Sequence, residues 1–140
     1  MANTDSQNRD AMMKILAPVL ASKERVEALL PFSSTPKRPR GPEGKVTEGV
    51  WQTKRLHRPL ALTDRKLYVF DAGRTPYARA VHEEYPRSAV HVVDVVDRRF
   101  GQRDVLLAID GLGTVPFETG KLDDLDILLA SLPPADRPST

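Results

Sequence analysis

The sequence predicts a mainly β domain of the α+β class, with one helix before the strands and one after them. Three observations carry this. Short runs rich in β-branched residues recur between turn signals, as in Ala89-Val-His-Val-Val-Asp-Val-Val-Asp97. Asp110-Gly111 is a hairpin turn signal between two alternating runs. Helical spacing of apolar residues appears only near the two ends of the chain.

At the first end, Met12, Ile15, Leu16, Val19 and Leu20 recur at helical spacing, and Pro18 is expected to kink or end the helix. A helix over 10–22 follows, after a polar and frayed start over 1–9. Lys23 to Ser33 reads either as a continued helix or as a strand; Leu30-Pro31 weighs against helix, and a strand over 26–32 is expected. The stretch 34–49 is a Pro/Gly-rich basic loop.

Pro59 to Phe70 is the centre of the pattern. Leu60 and Leu62 precede a polar turn at Thr63–Lys66, and Leu67, Tyr68, Val69 and Phe70 follow it. The second arm is apolar throughout, as a strand covered on both faces would be. Pro59 is expected at an edge or bulge. Strands then follow at 80–85, 89–97, 105–109 and 114–118, and Pro116 suggests an edge in the last. Leu122, Leu125, Leu128, Leu129 and Leu132 form one helical stripe, with Asp123, Asp124 and Asp126 at its positive end. Pro133-Pro134 stops that helix, and 133–140 reads as a disordered tail. The division is therefore 1–22, then a domain over 23–132, then the tail.

Composition narrows the function classes. With no cysteine, the chain offers no thiolate nucleophile, disulfide or Cys-type zinc site. The first apolar patch, Ile15 to Leu20, is broken by Pro18 and suits neither a signal peptide nor a membrane span, so a cytoplasmic location is expected. Charge is uneven: 36–66 holds nine Lys or Arg against three acids, whereas 121–140 holds two against four. Lys37, Arg38, Arg40 and Lys45 are thus the candidate anion-binding residues, set against the plainer reading of a solvated loop.

No reaction centre is legible. His57, His82 and His91 are scattered, so no metal site and no cofactor is expected. Glu83 and Glu84 adjoin on a strand and point to opposite faces. Gly111-Leu-Gly113 lacks the strand–loop–helix setting of a dinucleotide loop. Thr35-Pro36 matches a phosphorylation site by sequence alone.

Leu60-Ala-Leu-Thr-Asp-Arg-Lys-Leu-Tyr-Val-Phe70 resembles the "ALTxxRL" hairpin of bacterial pleckstrin-homology-like (PH-like) and GRAM-like domains, with Lys66 where that family usually has Arg. Tyr85 to Val93 resembles their next strand, Val105 to Phe117 their "DG" hairpin, and Leu122 to Leu132 their closing helix. The resemblance covers about 23–132. It implies a small barrel of six or seven antiparallel strands closed by the C-terminal helix, with 34–49 as an insertion. It implies a non-enzymatic interaction module, a scaffold or adaptor that binds a protein partner or self-associates. Met12, Ile15, Leu16 and Val19 are the candidate partner-binding helix. The alternatives are an anionic membrane or nucleic-acid surface met by the basic loop, or a structural subunit of a larger assembly.

Overall fold

The computed structural model describes residues 4–36, 55–72, 77–98, 101–121 and 123–132. In chain order these form α1 (Thr4–Leu16), β1 (Val26–Leu30), β2 (Ser34–Pro36), β3 (Arg55–His57), β4 (Leu60–Thr63), β5 (Lys66–Asp71), β6 (Ala80–Pro86), β7 (Val90–Asp97), β8 (Arg103–Ile109), β9 (Gly113–Thr119) and α2 (Leu125–Ser131).

The strands make two antiparallel sheets. The four-stranded sheet runs β1-β4-β5-β6 and the five-stranded sheet β3-β2-β9-β8-β7. The single barrel of six or seven strands is therefore two sheets, and the short β2 and β3 are additions the pattern did not announce. The chain crosses between the sheets at three places. At Pro31–Ser33, β1 of one sheet turns into β2 of the other. At Arg58–Pro59, β3 gives way to β4. At Arg87–Ala89, a 3-10 turn carries β6 into β7. Proline stands at or beside each crossing, where a missing N–H and a fixed φ end the ladder. Pro59 thus marks a change of sheet rather than a bulge within one strand, and its carbonyl accepts the Phe70 N–H at 2.8 Å.

One core fills the space between the sheets. Leu30, Leu60, Leu62, Leu67 and Val69 meet Val90, Val105, Leu107, Ile109, Val115 and Phe117 there. Leu125, Leu128 and Leu132 of α2 join the same core. Period-2 alternation selects these residues. The neighbours Leu29, Ala61, Tyr68 and Phe70 point out of the four-stranded sheet and are also buried. This is why β5 reads as a continuous apolar run: both of its faces are covered.

Several boundaries differ from the expectation. α1 begins at Thr4 and ends at Leu16, earlier than 10–22 at both ends. Its polar start is held by tertiary bonds that no apolar spacing reveals. Pro18 offers no N–H, and the chain leaves the helix through Val19 and Leu20 N–H bonds to the Leu16 carbonyl. The loop expected over 34–49 opens as strand β2. Pro116 is not on an edge strand, since β9 lies between β2 and β8. It fits there because β2 pairs with β9 only at Ser34–Glu118, while the Thr35 hydroxyl donates to the Pro116 carbonyl at 2.8 Å. That bond and burial also remove Thr35 from the surface, against the phosphorylation reading. α2 starts at Leu125 because Asp123 and Asp124 are engaged elsewhere.

Turn chemistry accounts for the hairpins. Gly111 and Gly113 take φ of 82° and 98° at the β8–β9 turn, conformations costly for any residue with a Cβ. The β4–β5 turn narrows to Asp64–Arg65. The Thr63 hydroxyl oxygen accepts the N–H groups of Arg65 at 3.1 Å and Lys66 at 2.9 Å.

Candidate functional site

The polar side chains that cluster in this fold act mainly as clamps between its elements. Three of them matter. At the start of β1, the Glu24 carboxylate accepts the Thr63 hydroxyl at 2.6 Å, the Tyr68 hydroxyl at 2.9 Å and the Ala21 N–H at 2.9 Å. Burial alone would raise the Glu24 pKa, but these bonds outweigh it and hold the carboxyl below its ordinary range. Burial, then the Glu24 bond, push the Tyr68 hydroxyl far above its ordinary value. Nearby, the Arg25 N–H bonds Asp64 Oδ1 at 2.9 Å and lowers that carboxyl.

The second clamp sits where β1 becomes β2. Asp124 accepts the Leu29 N–H at 3.0 Å and the Arg9 guanidinium at 2.9 Å, so it joins α1, β1 and the start of α2. Burial works against its charge, and Arg9 together with the Leu29 N–H more than compensates, leaving the carboxyl below its ordinary range. Asp123 accepts the Phe32 N–H at 2.9 Å and the Gly120 N–H at 2.8 Å. Burial dominates there and pushes the Asp123 pKa up to about 6. A Cβ at Gly120 would lie 2.7 Å from the Phe32 Cβ, so only glycine allows this approach. The third clamp is Arg87. Its guanidinium donates to Glu27, to the Thr63 carbonyl at 3.1 Å and to the Ser131 carbonyl at 2.7 Å, binding the 3-10 corner to β1, β4 and α2.

Sequence spacing found none of these assignments. Asp123 and Asp124 read as dipole partners of a helix. A carboxylate that serves backbone N–H groups 91 to 95 residues away leaves no local pattern.

The residues expected to act fall into two groups. In α1, Met12 and Leu16 are buried against Leu29, Ala61, Tyr68, Phe70 and Ala78 of the chain itself, with Ile15 half-buried beside them. Asn8 fastens the helix, donating to the Pro31 carbonyl at 3.0 Å and accepting the Ala78 N–H at 3.2 Å. Only Met13, 41% exposed, and Val19, 44% exposed, face outward as large apolar groups of this segment. Lys37, Arg38, Arg40 and Lys45 lie outside the described residues, as does Trp51. What is described is the flanking ladder, where Pro36 pairs with Arg55.

The histidines do not meet. His57 Nε2 lies 2.9 Å from the Pro31 carbonyl, His82 is on β6, and His91 is on β7. Among the described residues, no three His, Asp or Glu side chains converge as a metal site would require. None of the described helices is long and apolar enough to cross a membrane.

No family model and no curated protein matches the sequence. Among solved structures, the chain is similar to a pleckstrin homology domain from Shewanella amazonensis SB2B, at a TM-score of 0.45 and 14% identity over 86% of this chain and 91% of that one. That likeness is distant, and the assignment rests on the chain's own topology. Two antiparallel sheets share a core, β6 turns the corner into the β7–β8–β9 meander, and a C-terminal helix packs into the same core. That arrangement agrees with the outline that the PH-like resemblance implies, apart from the added β2 and β3.

Proposed function

We propose that this chain is a non-enzymatic PH-like interaction module, a scaffold or adaptor that binds a protein partner in the cytoplasm. One observation supports the reading above others. Its clustered polar groups are spent on internal clamps, while large apolar side chains remain outward: Val93 and Ile127 at 46% exposure and Val96 at 41%. A fold whose carboxylates bond backbone N–H groups has little left for acid–base work, and its exposed apolar groups suit contact with another protein. The test is capture of partners by the tagged full chain in its native host, read by mass spectrometry against a tag-only control. Reproducible, specific protein partners are expected. A chain that recovers none under crosslinking loses this reading.

A second reading assigns Lys37, Arg38, Arg40 and Lys45 to an anionic membrane or nucleic-acid surface. Its support is the flanking β2–β3 ladder, at one edge of the five-stranded sheet. Binding of the wild type to anionic vesicles or nucleic acid should fall steeply with salt and vanish when the four residues are neutralised. Equal binding by wild type and neutralised chain dismisses it.

A further inference from the structure

One end of the four-stranded sheet engages its acids and leaves several of its bases free. The segment 17–25, which links α1 to β1, meets the β4–β5 turn there. The Arg25 N–H bonds Asp64 Oδ1 at 2.9 Å, the Asp64 N–H bonds the Arg25 carbonyl at 3.0 Å, and Val26 pairs with Thr63. This is the opposite end of β1 from the crossing at Pro31–Ser33. The carboxylates here have partners. Glu24 accepts the Thr63 and Tyr68 hydroxyls, Glu27 pairs with Arg87, Glu84 pairs with Lys66, and Asp64 takes the Arg25 N–H. The remaining cations do not. Among the described residues, the exposed side chains of Lys23, Arg25 and Arg65 make no hydrogen bond and no contact ion pair, nor does Lys14 in the last turn of α1. The two guanidinium groups act on Asp64 only through space, adding to the effect of the Arg25 N–H on its carboxyl. Asp10, exposed one turn before Lys14, is the other carboxylate within reach of this end.

Lys23 carries a second, independent observation. Its φ is 69°, in the left-handed region that favours glycine, and among the described residues it is the one non-glycine there. The fold bears that backbone strain to keep a lysine whose ammonium nothing in the described chain uses. Apolar groups stand beside these cations. Val19, in the same linking segment, and Met13, next to Lys14, are both large, apolar and exposed. The occupant is therefore anionic and partly apolar. A nucleic-acid backbone would leave Val19 and Met13 without a partner. An anionic bilayer gains little from two apolar side chains, and Asp10 and Asp64 would face its headgroups. A second copy offering the same end would set cations against cations. What fits is a peptide that carries carboxylates between apolar residues.

We propose that the end of the four-stranded sheet formed by 17–25 and the β4–β5 turn, with Lys23, Arg25 and Arg65 as its cations and Val19 beside them, binds an acidic, partly apolar segment of a protein partner. The inference rests on the interaction-module reading and gives it a surface and a partner chemistry. The carboxylates of the segment meet Lys23, Arg25 and Arg65, and its apolar residues cover Val19 and Met13.

The test uses the full chain and a synthetic peptide of Glu and Leu, with a Lys/Leu peptide as control. Lys23→Gly, Arg25→Gln and Arg65→Gln are combined in a triple variant, and circular dichroism and Tm check that the fold persists. The Glu/Leu peptide should bind the wild type, bind the triple variant at least about tenfold more weakly, and lose affinity with salt; the Lys/Leu peptide should not bind. Lys23→Gly alone should weaken binding without lowering Tm, because glycine adopts that φ freely. Equal binding to wild type and triple variant, or none to the wild type, overturns the proposal. Phosphatidylserine vesicles that sediment the wild type but not the triple variant also overturn it, because the occupant is then a lipid surface. A wild-type dimer that the triple variant converts to monomer does the same in favour of a second copy. Partner capture separates the two readings: partners retained by the triple variant overturn this surface alone, whereas no partner with either chain removes the module itself.

Discussion

The four-stranded and five-stranded sheets share one interior but differ in how they end. Every strand position of β4 is buried, as are the central four of β5, because the core covers one face and α1 the other. In the five-stranded sheet, β8 and β9 alternate between buried and half-exposed over most of their length, and β7 has four exposed positions, Val93, Asp94, Val96 and Asp97. Among the described residues, β4 and β5 thus present no exposed apolar side chain, while β7 presents Val93 and Val96. In a fold of this size, stability concentrates where both faces are packed.

That contrast can be broken at its strongest point. Leu67 is buried in β5 opposite Leu62, in the middle of the shared core. Leu67→Asp places an unpaired carboxylate there, and the domain should fail to fold. A soluble Leu67→Asp chain with native-like circular dichroism would show that the centre of the core lies elsewhere.

The cover on the four-stranded sheet comes next. Leu16→Ala should cost about 2–5 kcal/mol, the range for truncating a fully buried leucine. Denaturant titration checks this, and a loss under about 1 kcal/mol would mean that α1 adds little to the fold.

The corner between the sheets gives a pH-dependent test. Asp123 has its pKa raised to about 6 from an ordinary 3.8, so the folded chain holds that proton more tightly than the unfolded one. Its contribution to stability is fully present below pH 4 and is lost as pH rises through 6, on the order of 2–3 kcal/mol in all. Glu24, Asp64 and Asp124 have lowered pKa values and act oppositely, stabilising above their ordinary range and failing as pH falls. Thermal melts across pH 4 to 6 should show wild-type stability declining relative to Asp123→Asn. Parallel curves for the two chains would remove Asp123 from the pH response.

The smallest effect belongs to the uncovered side. Leu106→Ala, the counterpart of Leu16→Ala on the five-stranded sheet, should cost no more than about 1 kcal/mol, because a half-buried side chain gives up less area. A loss equal to that of Leu16→Ala would erase the contrast between the sheets.

Local chemistry made much of the architecture legible. Apolar runs, β-branched content and alternation together placed β5 through β9 within a residue or two, because strand side chains two apart share a face and branched side chains suit a pleated surface. Asp110-Gly111 announced its turn, since Gly111 adopts a φ that residues with a Cβ resist. The stripe of Leu125, Leu128 and Leu132 announced α2 and its buried face. Other features depend on groups far apart in the chain. The helical start of α1 at Thr4 requires Asn8 to meet Pro31 and Ala78. The late start of α2 requires Asp123 and Asp124 to reach Leu29 and Phe32. The division into two sheets requires Pro31, Pro59 and Pro86 to act as crossings rather than as breaks.

What the sequence determined by itself was therefore the longer strands, without β2 and β3, their inward residues and the amphipathic helices, because these follow from backbone geometry and from burial of one face. What the tertiary structure decided was which face each helix would cover and which would stay open. It also decided which charged side chains would become clamps. Those outcomes turn on long-range hydrogen bonds and desolvation, whose strength depends on neighbours that adjacency in the chain does not supply.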